Sequence, residues 1–453
     1  MIQPRPTTRL LLILLAAPVW SGCPGSGGSP PRGSPEDDSS EADDDDSGGS
    51  DDDDSGATDD DDSSGADDDD TNPAGDGPWV TAYLAAWNHL VGDADGDGTA
   101  CGTWGNLSTD DIDWSAMTQL VYFALNVAPD GTLATPIECW QNVNSDRLTE
   151  IVAAAHANDT PIVISFGGAG NHDAFASAIS PTNRAMLVDV VVDVVTTWGF
   201  DGVDIDMEPI EPEDTADYAT FVQLLHGALE GLSTPLLDRP LLFLVTGAEH
   251  AEMFSELAPL ADQINLMTYD LSGPWPGWVP WHNTPLFRGD YAFPSAGGPL
   301  PSIDAMVDTF AAGGVPRDKI GIGVDFYGYV WAGGSGTPTG GVTAPRQQYS
   351  VAPSVSTHAY HEILDGWLRP EVRHWDEVAR VPWLGLDFPG SADDAFVSYD
   401  DEDSCAAKVD YVVEQGLGGL IVWEIGGGLL PEGALPRDPL LQAIKQARAE
   451  ASR

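Results

Sequence analysis

Eight short apolar segments of strand-like composition follow one another after residue 78, and segments of helical periodicity separate them. The strand-like segments are residues 79–87, 119–127, 161–168, 201–208, 241–249, 263–270, 320–328 and 417–425. The clearest helical segments are residues 183–198, 217–229 and 404–416. Because eight buried strands alternate with helices, the pattern predicts a closed (β/α)8 TIM barrel rather than an open doubly wound sheet. We assign the barrel to residues 78–446, and the long interval before the last strand predicts a small insertion at residues 329–400.

The first 23 residues have the pattern of an export signal. Arg5 and Arg9 precede an apolar run, residues 10–19, that is too short to span a bilayer. The run ends in Trp20-Ser21-Gly22-Cys23, which resembles a bacterial lipobox and would make Cys23 the lipid-modified N-terminus. We therefore expect an exported cell-surface or outer-membrane lipoprotein that meets the membrane only through this anchor. The alternative is a plain signal peptide cleaved nearby, which gives a secreted protein.

Residues 24–77 consist mainly of Gly, Ser, Pro and Asp, with Asp tetrads at 43–46, 51–54, 59–62 and 67–70. Such a segment cannot bury apolar surface and its charges repel one another, which predicts a disordered tether. The whole chain has a formal net charge of −55, and the part outside the tether is also acidic. A surface of this sign repels nucleic acid, so we expect no nucleic-acid partner.

Three cysteines follow the tether. Cys101 and Cys139 would pair in an oxidising compartment, and Cys405 is most simply a small buried apolar residue. The acidic segment 93–98 resembles the start of a calcium-binding EF-hand loop, but the twelfth position of that loop is Trp104 rather than Glu. A solvated acidic turn is therefore favoured, and we expect no metal and no cofactor.

Residues 200–209 read FDGVDIDMEP and place acids at alternate positions of an apolar run. The alternation predicts that Asp204, Asp206 and Glu208 share one face of a strand, opposite Val203 and Ile205. Three carboxylates on one face of a buried strand cannot all be ionised, so at least one should hold a proton near neutral pH. Such an acid serves as a general acid, and in a barrel the working residues lie where strands end, as Glu208 does. A Mg²⁺ or Ca²⁺ site is the other interpretation of this row.

The segment DGVDIDME resembles the DGxDxDxE signature of glycoside hydrolase family 18, the chitinases and their relatives. Other segments resemble this family in the same order: Ser165-Phe166-Gly167-Gly168 its SxGG, Met267-Thr268-Tyr269-Asp270 its MxYD, and the segments 282–286, 398–401 and 418–424 the stretches that follow. The resemblance implies an enzyme that hydrolyses chitin or another polysaccharide containing β-1,4-linked N-acetylglucosamine, and we expect it to be a monomer. An endo-β-N-acetylglucosaminidase and a non-catalytic lectin remain as alternatives.

The resemblance also implies roles for the acidic residues. Glu208 would protonate the glycosidic oxygen, Asp206 would orient the acetamido group of the sugar, and Asp204 would share a proton with Asp206 from a deeper position. Tyr269 and Asp270 would hydrogen-bond the acetamido group. Because adjacent strand residues face opposite sides, both can do so only if the chain bends near residue 270.

Other residues are expected to shape the cavity or the backbone around it. The resemblance places Trp423 beneath the reacting ring, although core packing is the alternative. Further cavity candidates are Met267, Tyr327 and Tyr122. The remaining motif residues are expected to be structural: Asp201 at the start of its strand, and Ser165, Gly167 and Gly168 in tight backbone packing. Tryptophans 275, 278 and 281 would either line a sugar groove or pack a loop.

Overall fold

The computed structural model describes residues 77–89, 107–134, 145–295 and 297–451. The predicted signal with Cys23, the tether up to residue 76, the acidic segment 93–98, and both Cys101 and Cys139 lie outside the described residues. In the ranges just given, no helix is both long enough and apolar enough to cross a membrane.

Thirteen strands occur in the described part of the chain. The eight barrel strands are β1 (Trp79–Ala85), β2 (Gln119–Leu125), β3 (Ile162–Gly167), β4 (Gly202–Asp206), β5 (Leu241–Thr246), β6 (Gln263–Leu266), β7 (Ile320–Asp325) and β13 (Gly419–Trp423). The other five are β8 (Tyr327–Ala332), β9 (Ser354–Ala359), β10 (Arg373–Asp376), β11 (Val381–Leu386) and β12 (Ala395–Tyr399). The parallel order β1-β13-β7-β6-β5-β4-β3-β2 closes on itself through the pairing of β1 with β2. The predicted (β/α)8 barrel is confirmed.

The helices are α1 (Ser145–Ala157), α2 (His172–Ala178), α3 (Arg184–Trp198), α4 (Thr215–Leu229), α5 (Ala251–Leu257), α6 (Ile303–Ala312), α7 (Tyr360–Gly366), α8 (Glu402–Gln415) and α9 (Pro439–Ala451). Local sequence sets the ends of α8. The carboxylate of Asp401 accepts the backbone N–H groups of Asp403 and Ser404 at its N-terminus. At its C-terminus Gly416 adopts the left-handed conformation with φ of 62°, which glycine reaches without a steric cost.

Side chains alternate between two environments along the barrel strands. Val203 and Ile205 of β4 belong to the main hydrophobic core, together with the buried faces of the surrounding helices. A second cluster lies inside the barrel and includes Tyr83, Phe123 and Phe243. Strands β1, β2, β3, β5 and β13 contribute to both clusters, which explains why these strand sequences are so apolar.

The insertion forms an antiparallel sheet in the order β10-β11-β12-β8-β9. It begins at Tyr327, so the single strand expected at 320–328 is in fact two strands, β7 and β8, separated by Phe326. The backbone N–H of Phe326 still bonds to Trp423 O of the barrel, at 2.9 Å, and its carbonyl accepts the N–H of Tyr360 at 3.0 Å. The chain therefore leaves the barrel sheet at this residue, a change of partner that the continuous apolar pattern does not reveal.

Candidate active site

The three acids of β4 and the residues after it lie at the carboxyl end of the barrel. Asp204 is fully buried and Asp206 is 4% exposed, whereas Glu208 is half-buried two residues beyond the end of the strand. Val203 and Ile205 point into the outer core. The alternation read from the sequence thus gives the observed orientation of the row.

Asp204 is the deepest acid of the row. The Tyr83 hydroxyl donates a hydrogen bond of 2.9 Å to Asp204 Oδ1, and Ser165 is the residue paired with Asp204 on the neighbouring strand β3. Burial raises the pKa of Asp204 to about 7, although the bond from Tyr83 acts in the opposite direction. Asp204 therefore exchanges a proton near neutral pH.

Asp206 and Glu208 are within hydrogen-bonding reach of each other. Burial, followed by the negative charges of Glu208 and Asp204, raises the pKa of Asp206 well above that of an ordinary aspartate. Loss of solvent around its carboxyl group raises the pKa of Glu208 to about 7, and the nearby charge of Asp270 adds to the effect. The row can therefore store a proton at neutral pH and present it at the barrel mouth. In the part of the chain that the structure describes, no set of three or more His, Cys, Asp or Glu side chains is arranged as metal ligands.

The chain bends at Asp270, which is the condition for Tyr269 and Asp270 to face the same side. Strand β6 ends at Leu266, and Asp270 adopts the left-handed region with φ of 57°. Tyr269 lies close to the acid row. Burial, together with the negative charges of Asp206 and Glu208, therefore raises the pKa of its hydroxyl. Asp270 is exposed at the mouth, so both side chains reach the same end of the barrel.

The Asp270 carboxylate is held by two tyrosines of β8. The hydroxyls of Tyr327 and Tyr329 each donate a hydrogen bond of 2.6 Å to Asp270 Oδ1. The sequence predicts Tyr327 as a residue of the cavity, but it gives no such prediction for Tyr329. The signal available for Tyr329 was its alternation with Tyr327 on one strand, which places both hydroxyls on one side.

Trp423 is the last residue of β13 and is partly exposed. Both Trp423 and Met267 pack against the cluster inside the barrel that includes Tyr83 and Phe123. Its ring meets Phe123 edge-on at 4.6 Å between centroids and Tyr83 at 5.7 Å. One edge of the indole is thus fixed by packing, and part of the ring remains available to a ligand.

The expectation for Tyr122 is wrong. Tyr122 is fully buried in the outer core, where its hydroxyl lies 3.1 Å from Nδ1 of His89. Phe123 takes the inward position instead. The two-residue alternation that orients the side chains of β4 also predicts that Phe123, the neighbour of Tyr122, faces the barrel interior.

Two glycines bring the backbone of β3 against the acid row. A Cβ atom on Gly167 would lie 2.1 Å from the carbonyl oxygen of Asp206, and one on Gly168 would lie 2.6 Å from the Phe123 ring. Both residues have positive φ, of 113° and 98°. The Gly168 N–H bonds to Asp206 O at 2.7 Å. These positions need glycine for close approach, the structural role expected from the sequence.

Other motif residues lie away from the acid row. Asp201 holds the start of β4, because its carboxylate accepts bonds from the backbone N–H of Ile162 at 3.0 Å and from the Thr234 hydroxyl at 2.7 Å. Cys405 is buried in α8. In the tryptophan segment, Trp281 is fully buried, whereas Trp275 and Trp278 are partly exposed.

Comparisons with known proteins agree with this geometry. The family model for glycosyl hydrolases family 18 matches residues 98–428. Chitinase A1 of Niallia circulans is 31% identical over 295 residues, which cover 58% of this chain and 40% of that protein. The chain thus spans less than half of that relative's length.

Two solved structures share the fold. The Group IV chitinase of Ostrinia furnacalis, in complex with allosamidin, has a TM-score of 0.66 at 23% identity, covering 83% of this chain and 100% of that one. Human YKL-39, described as a pseudo-chitinase with retained chitooligosaccharide binding, has a TM-score of 0.63 at 19% identity, with coverages of 82% and 99%. The same fold therefore occurs in a chitinase and in a pseudo-chitinase, and fold alone does not decide the activity.

Proposed function

The chain belongs to glycosyl hydrolase family 18, and we propose that it hydrolyses chitin or chito-oligosaccharides with retention of anomeric configuration. The observation that carries the proposal is the row Asp204, Asp206 and Glu208, which ends at the barrel mouth with the last carboxyl near neutral pKa. A lectin has no need of such an acid. The substrate class follows from the family and from the acetamido-binding roles proposed for Tyr269 and Asp270.

In the proposed first step, Glu208 gives its proton to the glycosidic oxygen while the substrate's own acetamido oxygen attacks the anomeric carbon. The C1–O bond breaks as the new C1–O bond forms, so the enzyme supplies no nucleophile. Asp206 accepts a hydrogen bond from the acetamido N–H and aligns the group. Asp204 lies behind Asp206 and accepts a hydrogen bond from Tyr83, and the proton shared by Asp204 and Asp206 lets Asp206 donate a hydrogen bond to the Glu208 carboxylate.

In the second step a water molecule attacks the same carbon and restores the acetamido group, and Glu208 takes a proton from that water. Two inversions at one carbon give net retention. Tyr269 and Asp270 hold the acetamido oxygen and its neighbours, while Met267 and Tyr327 form the adjoining wall. Trp423 supports the apolar face of the sugar.

The mechanism is tested on partly deacetylated chitosan. If the acetamido oxygen is the nucleophile, the sugar whose bond breaks must carry an N-acetyl group. We therefore expect N-acetylglucosamine almost exclusively at new reducing ends, and a β anomer formed first in ¹H NMR. Frequent glucosamine at new reducing ends would instead indicate an enzyme carboxylate or water as the nucleophile.

The substrate class is tested by comparing N-acetylglucosamine oligomers with an N-glycoprotein. Cleavage of the oligomers alone supports a chitinase, and release of N-glycans identifies an endo-β-N-acetylglucosaminidase. Binding of oligomers without hydrolysis by the wild-type protein would identify a lectin.

We also propose how the enzyme is organised and placed. An export signal, residues 1–23, would precede a disordered tether, residues 24–77, which links a lipid on Cys23 to a monomeric catalytic barrel, residues 78–446. Export and lipidation are supported by the sequence pattern alone. Replacing Cys23 by Ser should release the protein from the membrane fraction, and a fully soluble wild type would contradict the anchor.

A further inference from the structure

Four polar side chains form a sealed cluster behind Asp270: Asn283, Asp325, Asp400 and Lys408, here termed the Asp325 network. Each is at most 1% exposed. They come from different parts of the fold, namely the segment after β6, the last residue of β7, the residue after β12, and α8. None of them takes part in the proposed reaction.

Asn283 fixes the bend that presents Asp270. Its side-chain oxygen accepts the backbone N–H of Asp270 at 3.1 Å, and its carbonyl accepts the N–H of Leu271 at 3.0 Å. Its own N–H donates to the Ser398 hydroxyl at 2.7 Å. Because Asp270 is not glycine, its left-handed backbone depends on such contacts.

Asp325 fixes the orientation of the Asn283 amide. When the amide oxygen faces Asp270, the amide NH₂ faces the opposite way, and there it donates to Asp325 Oδ2. A buried NH₂ without an acceptor would be costly, and the amide would then gain from rotating. The acceptor at residue 325 therefore selects the rotamer in which the oxygen of Asn283 receives Asp270.

The charges of the network balance only if one acid is protonated. Lys408 forms an ion pair with Asp400 and also donates to the Thr284 hydroxyl at 2.9 Å. Asp325 Oδ1 is buried and receives no hydrogen bond from a donor among the described residues, and the Asp400 carboxyl lies within hydrogen-bonding reach of Asp325. Burial, followed by the negative charge of Asp400, raises the pKa of Asp325 well above the ordinary value. With Lys408 paired to Asp400, a proton on Asp325 leaves one cation facing one anion in the network.

We propose that Asp325, as a protonated acid, is a positioning residue that sets the Asn283 amide and through it the Asp270 bend. The inference rests on the proposed function, in which Asp270 acts on the acetamido group. Its consequence is specific. If Asp270 moves, the acetamido group loses alignment, and Glu208 loses the neighbouring charge that helps to raise its pKa.

The test compares Asp325→Asn with Asp325→Leu. Asparagine reproduces a protonated aspartic acid, because its oxygen accepts from Asn283 and its NH₂ donates to Asp400. Leucine has a similar size but neither function. Measured on soluble chito-oligosaccharides, Asp325→Asn should keep kcat within about twofold of wild type. Asp325→Leu should lower kcat about tenfold or more with KM little changed, since misplacing an aligned group affects the chemical step.

A pH profile separates positioning from stability. In Asp325→Leu the alkaline limb of kcat/KM should shift to lower pH, because the pKa of Glu208 falls when Asp270 withdraws. A loss of stability alone would lower the melting temperature and leave this limb in place. Asn283→Ala cuts the same link and keeps the buried charges intact, so it should reproduce the kinetic pattern even if Asp325→Leu does not fold.

Three results would overturn the proposal. One is a folded Asp325→Leu or Asn283→Ala variant with wild-type kcat and pH profile. Another is an Asp325→Asn variant as impaired as Asp325→Leu, which would mean that an ionised carboxylate is needed. The third, which needs no substrate, is a crystal structure of either impaired variant with Asp270 still left-handed. A wild-type protein that cleaves no chito-oligosaccharide would contradict the proposed function instead.

Discussion

Two buried acid groups lie at the same end of this barrel, and they differ in what surrounds them. For the β4 acids, Asp204, Asp206 and Glu208, no cation of the described residues is among the groups that shift their pKa values, and the row ends at the mouth. Asp325 and Asp400 are sealed from solvent and face Lys408.

The difference shows what makes a buried acid reactive. In the Asp325 network a lysine neutralises the charge, and fixed donors such as the Ser404 hydroxyl, 2.7 Å from Asp400 Oδ1, bind the oxygens of Asp400. Among the described residues, Asp204 Oδ2 and Asp206 Oδ1 have no hydrogen-bond partner, which is also true of Asp325 Oδ1, so the lysine is what distinguishes the two groups. Acids whose charge is balanced by a buried cation keep their protons in fixed positions. Acids without such a cation, next to an opening, can transfer a proton to a bound substrate.

The largest effect is expected from Lys408→Met, which removes the compensating charge. Asp400 would remain buried without its cation, and the free energy of unfolding should fall by about 3–5 kcal/mol. Chemical denaturation measures this. The matched control is Lys445→Met, because Lys445 forms a partly exposed ion pair with Asp113 at 2.7 Å and should cost less than about 1 kcal/mol. Equal losses in the two variants would mean that burial of Lys408 is not what matters.

Glu208→Gln should lower turnover of chito-oligosaccharides by at least about 100-fold, the usual scale for a lost general acid, while oligosaccharide binding stays nearly intact. Steady-state kinetics and calorimetric binding measure the two effects. Glu211→Gln, at an exposed position three residues away, should behave as wild type. Full activity in Glu208→Gln would remove the distinction between the two acid groups.

The pH dependence should reveal the raised pKa of Glu208. A general acid works only when protonated, so kcat/KM should fall as pH rises through about 7, by about tenfold for each further unit. A pH–rate profile on an uncharged chito-oligosaccharide measures this limb. A flat profile up to about pH 9 would contradict the assignment of this limb to Glu208.

Asp204→Asn should stabilise the protein above neutral pH, in contrast to Lys408→Met. The pKa of Asp204 rises from 3.8 in its ordinary state to about 7 in the fold. The folded state therefore binds more protons between these values, so stability falls as pH rises through that window. Asparagine removes this penalty and still accepts from Tyr83.

We expect Asp204→Asn to raise the free energy of unfolding by about 1–2 kcal/mol at about pH 8, where Asp204 is ionised, and by little at about pH 4, where it is protonated in the fold. The gain at about pH 8 is smaller than the full pKa shift implies, because solvent relaxation reduces the cost of the buried charge. Melting temperatures at the two pH values measure it. The variant should also lose activity, since Asp204 belongs to the catalytic row. A lower melting temperature at the alkaline pH would mean that the ionised Asp204 stabilises the fold.

Much of the barrel follows from local sequence patterns. The strand predicted at 201–208 contains β4, which is shorter (Gly202–Asp206) and ends before Glu208, and the alternation of Asp204 and Asp206 with Val203 and Ile205 is seen in the structure. Side-chain direction along a strand repeats every two residues, so a run of about four or five residues is enough to establish it. The same rule required the bend that occurs at Asp270.

Other features depend on contacts between distant segments. The sequence alone determined the approximate positions of the eight barrel strands, their alternation with helices and the acid row, because each is fixed by neighbours along the chain. Only the tertiary structure decided that Tyr329 meets Asp270 across 59 positions, and that Asn283 meets Asp325. It also decided that the apolar run 320–328 divides at Phe326 into strands of two different sheets. These pairings are set by how the insertion and the strand ends pack together, and local hydrophobic periodicity carries no information about such contacts.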